Sequence, residues 1–350
     1  MEPLLTHPTG TVAEAFAQRA IAQEATRLSP LATPSYPAIR VAQEPECGLR
    51  TPFQRDRDRI VHSKSFRRLK HKTQVFIAPA GDHYRTRLTH TLEVAGISRT
   101  VARALDLNED LTEAIGLGHD LGHPPFGHIG EAVLDSCLRE RFETGFRHYE
   151  QSLRIVEVLE RDGRGLNLTE QVRDGIACHS GRSPAPSTLE GAIVRLVDRI
   201  AYINHDIDDA VRAGVITRAD LPAREIAVLG SSGTDRIDVL VHDLVEHSSI
   251  AEAIVQGPEI GAAMDELRSW MFEHVYLGPE AIREHARVAT LLRSLFDHYC
   301  DHPEDLPVLA SPDPGAELDI AQRVSDHLSG MTDRYCIRVF EELTIPRSLD

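Results

Sequence analysis

Within the fourteen residues Gly118–Glu131 stand a His119-Asp120 pair, His123, His128, four glycines and two prolines. Neutral imidazoles beside a carboxylate form a hard-to-borderline donor set, suited to Mn, Fe, Zn, Ni or Mg. Glycine and proline fix backbone directions that helical spacing does not reach, so side chains can converge there. The apolar stretch Leu111–Gly118 just before the pair reads as a buried helix, which puts Asp120 at the end of a packed element. A carboxylate in such a place needs a cation or several hydrogen bonds, because a lone buried charge is expensive. Taken singly, each histidine could be a satisfied core residue; taken together they read as a polar site. His128 and Glu131 share one face if a helix begins at Gly127. A glutamate there can orient the imidazole and raise its pKa, which a general acid requires.

The elements that must position these groups read as helices. An amphipathic helix is expected over about Val12–Leu28, followed by a proline-containing strap, Ser29–Pro45. Thr51-Pro52 has the form of an N-cap with proline at the first helical position. Behind it Arg50, Arg55, Arg57, Arg59, Lys64, Arg67, Arg68, Lys70 and Lys72 form a basic island in an acidic chain. Ile60, Phe66, Leu69 and Val75 can point inward while these cations face out, either as a solvated helix face or as a cradle for polyphosphate. The apolar spacing Leu88, Leu92, Ala95, Val101, Ala102, Leu105 predicts a helix with His90 near its start and Arg87 just before. Further helices are expected over Ser152–Leu159, Leu168–Ala177 and Leu189–Ile203, with a loop from His179. Asp198 stands inside the last of these among Ile193, Leu196, Val197, Ile200 and Ala201, which favours a ligand over a structural carboxylate. The tail of that helix, Tyr202–Asp209, is polar and acidic, with Tyr202 and Asp206 one turn apart. Ile237–Glu246, Pro258–Tyr276, Glu280–Cys300, Leu318–Leu328 and Thr332–Leu343 complete the series. No strand series, P-loop or GxGxxG occurs. The expected fold class is all-α, with an N-terminal helix and strap at 1–50, a core at 51–215 and a helical C-terminal part at 216–350.

Net charge of −16 argues against a nonspecific grip on a nucleic-acid backbone, though not against a local basic pocket. Five cysteines without a CxxC read as reduced, buried thiols. No apolar run reaches membrane-spanning length, and the chain reads as cytoplasmic with no membrane partner.

The order His90 … His119-Asp120 … Asp198 resembles the HD-domain metal phosphohydrolases. Within them the chain is similar to the bacterial deoxyguanosine triphosphate triphosphohydrolases and their relatives. The likeness rests on Arg50-Thr-Pro-Phe-Gln-Arg-Asp-Arg-Asp-Arg-Ile, Phe66-Arg-Arg-Leu-Lys-His-Lys-Thr-Gln-Val, Tyr84-Arg-Thr-Arg-Leu-Thr-His90, His119-Asp-Leu-Gly-His-Pro-Pro-Phe-Gly-His128, Asp198-Arg-Ile-Ala-Tyr-Ile-Asn-His-Asp206 and Gly330-Met-Thr-Asp-Arg. It covers about residues 47–340. The resemblance implies an HD-domain helical globule in which His90, His119, Asp120 and Asp198 hold one divalent ion (Mn, Mg, Fe or Ni). Two histidines and two carboxylates leave positions open for water and phosphate oxygens. It also implies cleavage of a deoxynucleoside triphosphate between the α-phosphorus and the 5′ oxygen, releasing deoxynucleoside and intact triphosphate. His128, paired with Glu131, would protonate the departing oxygen, and His123 would act at the same phosphate. Arg87, Arg199 and Arg268, with Arg50 and Lys70 beside them, would meet the triphosphate. Gln74 and Asp206 would contact the sugar 3′-hydroxyl, and Tyr202 would exclude a 2′-hydroxyl.

Two departures from the family pattern stand out. His148-Tyr-Glu-Gln-Ser replaces His-Asn-x-Gln-Ser, so Tyr149 substitutes for Asn beside the substrate candidate His148. Arg195 and Val197 stand where relatives often have Asp and Ala. A homo-oligomer, an activating dNTP at a second site and weak single-stranded nucleic-acid binding are implied by resemblance alone. The rival readings are an HD phosphatase or phosphodiesterase acting on another nucleotide, and a non-catalytic nucleotide-binding regulator.

Overall fold

The computed structural model describes residues 15–74, 85–307 and 319–346. Among them there is no strand, only the isolated bridges Arg40–Thr169 and Thr73–Thr86. The fold is all-α. Helix α1 (Phe16–Arg27) leads into a strap that crosses the surface to α2 (Pro52–Val61) and α3 (Lys64–Arg68). The central helices are α4 (Arg87–Ala104), α5 (Glu109–Gly118), α6 (Gly127–Phe142), α7 (His148–Arg154), the short α8 (Glu160–Gly163), α9 (Glu170–Cys178) and α10 (Leu189–Arg212). The C-terminal helices are α11 (Ala223–Leu229), α12 (Gly233–Ala251), α13 (Pro258–Met271), α14 (Pro279–Asp301), α15 (Ile320–Ser329) and α16 (Asp333–Thr344).

Helix α5 is the axis. Asn108 caps it by accepting from the Asp110 and Leu111 amides, and Glu109 and Asp110 in its first turn complement the helix dipole. Leu111, Ala114, Ile115 and Leu117 are buried, so α5 is enclosed on all sides by α2, α4, α9 and α10. A second apolar cluster joins α6 to α14, α15 and α16 through Leu134, Leu138, Leu292, Phe296, Val324 and Leu328. The His119–Phe126 loop links α5 of the first core to α6 of the second. Asp333, at the start of α16, fastens this loop by accepting from the Phe126 amide at 2.9 Å and the Thr73 amide at 2.8 Å.

The strap is held by buried carboxylates. Glu190 accepts from Thr33 N and Oγ1 at 3.0 and 2.9 Å, and Asp56 pairs with Arg40 and accepts from Thr169 N. The expected capping at Thr51 is present as a reciprocal pair with Gln54. Ile60, Phe66 and Leu69 point inward as expected; Val75, like Val12–Glu14 of the first helix, lies outside the described residues.

Three expectations need correction. The basic island does not simply face solvent. Arg50 is bonded to Asp58, Arg55 and Arg59 to Glu44, and Arg57 to Asp58 and Glu113, while Lys72 is buried and donates to the His123 and Ser329 carbonyls. These cations serve internal pairing, and among the described residues only Arg67, Arg68 and Lys70 of the island remain exposed without a carboxylate. Second, α10, expected over Leu189–Ile203 with a polar helical tail to Asp209, runs a little further, to Arg212. Three polar residues of the tail find partners on neighbouring elements: Asn204 accepts from Arg236, His205 bonds Glu93, and Asp206 accepts from Tyr276. Third, of the cysteines only Cys137 and Cys336 are fully buried, and all five are free.

Gly122 is where the loop touches α7. A Cβ there would lie 2.2 Å from the Ser152 amide nitrogen and 2.3 Å from the His148 carbonyl oxygen, both backbone atoms. Gly122→Ala is therefore expected to push α7 outward and lower stability by about 1–3 kcal/mol or more. The urea midpoint checks this; an unchanged midpoint would contradict the packing.

Candidate metal and phosphate centre

The four ligand candidates converge from three elements. His90 comes from the first turn of α4, His119 and Asp120 from the end of α5, and Asp198 from the middle of α10. His90 Nε2 lies 3.0 Å from Asp198 Oδ1; His119 Nε2 lies 3.7 Å from the same oxygen and 3.5 Å from Asp120 Oδ1. The donor atoms of His90, His119 and Asp198 all fall within 4.8 Å of one another, as a single ion needs. His119 donates through Nδ1 to the Gly116 carbonyl at 2.7 Å, which leaves its buried Nε2 as a lone pair with no partner. A histidine held by a backbone carbonyl on one nitrogen and bare on the other is the arrangement that presents imidazole to a metal. The chain's residues thus fit a divalent ion. Asp120 is turned partly away: its Oδ2 accepts from Arg87 Nη1 at 2.7 Å, and His123 Nε2 lies 3.3 Å from Oδ1. Burial pushes the Asp120 carboxyl up, but the charges of His119 and Arg87 outweigh it and hold the group well below the usual carboxylate range.

Arg87 is almost completely buried, and its Nε and Nη2 have no partner among the described residues. Gly127, at φ +58°, makes room for it, since a Cβ there would stand 2.7 Å from Arg87 Nη2. A guanidinium with donors left over beside a carboxylate and three imidazoles has the chemistry to receive an anion.

His128 lies on the rim at the first turn of α6, its side chain 70 % exposed, with Nδ1 3.2 Å from Glu131 Oε2. Glu131 is nearly buried and also accepts from His148 Nδ1 at 2.9 Å. Burial raises Glu131, but its bonds to His128 and His148 outweigh this and keep it ionised far below the usual range. His123 stacks on His148 with ring centroids 4.0 Å apart; burial and the Arg87 charge push its imidazole well down.

A third group lies along α10. The Tyr202 hydroxyl accepts from Arg268 Nε at 2.6 Å, and Asp206, one turn later, accepts from the Tyr276 hydroxyl. Burial pushes Asp206 up to about 7 and Tyr202 up to about 12. The charges of His128 and Arg87 act on Asp206, so this pocket adjoins the imidazole cluster. Gln74 is buried with an unpartnered Oε1, and its carbonyl oxygen lies where a Gly127 side chain would be. Arg199 is half-buried beside Asp198. Arg50, just before α2, and Lys70, just after α3, are exposed, and Arg50 is bonded to Asp58 and not to the cluster.

A native proton on Asp206 sets a sign. Between its unfolded value near ~4 and about 7, the native state holds a proton that the unfolded chain has lost, so its contribution to stability falls as pH rises through this window. Asp206→Asn is expected to flatten the stability curve there, as read by thermal melts at stepped pH. A curve identical to the parent's would contradict it.

Sequence reasoning missed His179 and Tyr276. His179 follows α9 in a stretch read only as a loop, and Tyr276 lies in the turn after α13, far from any motif. Each is placed by tertiary packing, and only unusual residue type near a helix end could have signalled it. The departures find partners here. Arg195 donates to the Cys178, Gly181, Ser183 and Pro184 carbonyls, so it clamps the loop carrying His179. Tyr149 meets His148 edge-on at 5.6 Å, and Val197 is a fully buried core residue.

Comparison with known proteins agrees with this geometry. Residues 87–203 match the HD domain, and residues 254–342 match the phosphohydrolase-associated domain. A deoxyguanosinetriphosphate triphosphohydrolase-like protein of Caldanaerobacter subterraneus subsp. tengcongensis is 52% identical over 323 residues, covering 91% of this chain and 93% of its own length. The chain belongs to the deoxyguanosinetriphosphate triphosphohydrolase-like family. Similarly named proteins of Desulfatibacillum aliphaticivorans (46% identical, 96% of this chain and 99% of theirs) and Clostridium perfringens strain 13 (48%, 87% and 90%) agree. The chain is thus an HD-domain member of a phosphohydrolase family, and its candidates His90, His119, Asp120 and Asp198 all lie within the stretch that the HD domain covers. No described helix is long and apolar enough to cross a membrane.

Proposed function

We propose that this protein hydrolyses deoxynucleoside triphosphates, dGTP among them, to deoxynucleoside and inorganic triphosphate in a divalent-metal-dependent reaction. The observation that carries the reading is Arg87. It is a buried guanidinium bonded to Asp120 through one nitrogen, with two nitrogens free, between the candidate metal ligands and the Tyr202–Asp206 pocket. A phosphate seated there satisfies those donors while its sugar reaches α10. His90, His119, Asp120 and Asp198 would hold the ion, which when bound supplies an activated water and neutralises phosphate charge.

The chain's own residues do the rest. Arg87 and the unpaired Arg199 bind phosphate oxygens, with Arg268 positioned through Tyr202. Protonated His128, oriented by Glu131, gives its proton to the departing 5′ oxygen, and His123 lies beside it at 4.9 Å between ring centroids. Asp206 and Gln74 contact the 3′-hydroxyl. Tyr202, fixed by Arg268, fills the space a 2′-hydroxyl would need. A dNTP as activator at a second site and a homo-oligomer belong to the same proposal by family likeness, with residues 51–215 as the catalytic core.

Hydrolysis in ¹⁸O-labelled water tests the bond that breaks. Label is expected in the triphosphate and not in the deoxynucleoside, because attack falls on the α-phosphorus. Label in the deoxynucleoside, or release of pyrophosphate, would overturn the reading.

A further inference from the structure

The chain reaches the general-acid candidate His128 through a left-handed corner. Phe126, at φ +62°, and Gly127, at φ +58°, stand one after the other in the region that favours glycine. A bulky residue keeps that conformation only where its surroundings over-determine it. Here the Phe126 ring is buried in the second apolar cluster, and its amide donates to Asp333 Oδ1 at 2.9 Å. The corner aims the first turn of α6, which carries His128 and Glu131. It has no slack, because a Cβ on Gly130 would lie 2.0 Å from the Pro125 carbonyl oxygen.

The other oxygen of the same carboxylate holds a second segment. Asp333 Oδ2 accepts from the Thr73 amide at 2.8 Å and from the Thr73 hydroxyl, and Gln74 follows directly. The two segments meet at Gly127, where a Cβ would stand 3.1 Å from the Gln74 carbonyl oxygen and 3.4 Å from that of Thr73. Beside them the buried Lys72 ammonium donates to the His123 carbonyl at 2.5 Å and the Ser329 carbonyl at 2.8 Å. Ser329 ends α15 and Asp333 begins α16, so the C-terminal helices grip the loop on both sides of Pro124-Pro125.

We propose that Asp333 is a positioning residue for proton transfer: by joining the Phe126–Gly127 corner to Thr73 it fixes where His128 stands against the leaving oxygen. The inference rests on the reading of His128 as the general acid. In that step a water oxygen bonds to the α-phosphorus, the bond from phosphorus to the 5′ oxygen breaks, and the departing electron pair takes the proton of His128. Asp333 touches none of these atoms and acts through the corner alone.

The test uses the full metal-loaded chain and compares dGTP with the analogue in which sulfur replaces the 5′ bridging oxygen. A thiol ionises near ~8.5, far below an alcohol, so the analogue's leaving group departs without the acid. Asp333→Asn keeps the side chain's size but turns an NH₂ donor toward one of the two amides it must accept from. It is expected to lower kcat on dGTP about 10–100-fold, part of the worth of a general acid, and on the analogue less than about threefold. Thr73→Val leaves both amide bonds to Asp333 in place and carries the test if Asp333→Asn does not fold. It is expected to show the same preference at about 3–10-fold on dGTP, the worth of one hydrogen bond. Thermal melting and metal content accompany each variant, and His128→Ala is the reference. If His128→Ala spares the analogue while the other two variants lose nothing, or lose equally on both esters, the inference alone is overturned. Equal losses on both esters in His128→Ala, or no cleavage of dGTP by the wild type, would overturn the reading beneath it and the inference with it.

Discussion

Asp120→Ala is expected to lose the bound metal and all measurable hydrolysis together. Asp120 is the buried carboxylate that Arg87, His119 and His123 surround, at 2.7, 3.5 and 3.3 Å. Without it a buried guanidinium keeps no counter-charge, which also costs about 3–5 kcal/mol of stability. Asp120→Asn separates the two losses. It keeps the side-chain volume and can still accept from Arg87, so it is expected to recover much of the stability and none of the activity. Metal content per chain, turnover and a urea melt on both variants check this. An Asp120→Ala protein with full activity would remove the carboxylate from the site.

The second large effect is expected at His128. His128→Ala keeps the metal, because none of its atoms belongs to the His90–His119–Asp198 group, yet loses about 10²–10⁴-fold in kcat, the usual worth of a positioned general acid. Its exposure on the rim leaves Nε2 open toward a bound substrate while Nδ1 faces ionised Glu131. Glu131→Gln keeps a side-chain partner for His128 Nδ1 but removes the carboxylate that orients the ring, so it should cost less than His128→Ala. Metal analysis beside steady-state kinetics decides the matter. Unchanged turnover in His128→Ala would take it out of the mechanism.

Helices α4 to α6 and the ligand loop were legible in sequence because local rules and tertiary needs agree there. Leu88–Leu105 keeps a helical period, and Gly122 and Gly127 mark places where another backbone or Arg87 comes too close for a side chain. Asp198 stood out as a carboxylate in an apolar run, and it does face His90. The basic island misled because charge sign alone does not tell which cations meet carboxylates in the fold; Glu44 and Glu113, far along the chain, neutralise Arg59 and Arg57. The partners that hold the polar end of α10 were hidden for the same reason. Its polar end is stabilised by Glu93, Arg236 and Tyr276, which no local pattern connects to it. His179 was illegible because its meaning comes from a ring on α7 that the chain brings back only in three dimensions.

The most direct measurement of the central claim is product identity. The metal-loaded protein would be incubated with each of the four dNTPs, alone and mixed, and the products separated by ion exchange so that triphosphate, pyrophosphate and phosphate are distinguished. Deoxynucleoside and intact triphosphate in equal amounts are the predicted result, with turnover only in the mixture marking an activating nucleotide. Deoxynucleoside monophosphate with pyrophosphate, or no turnover by protein shown to carry its metal, would contradict it.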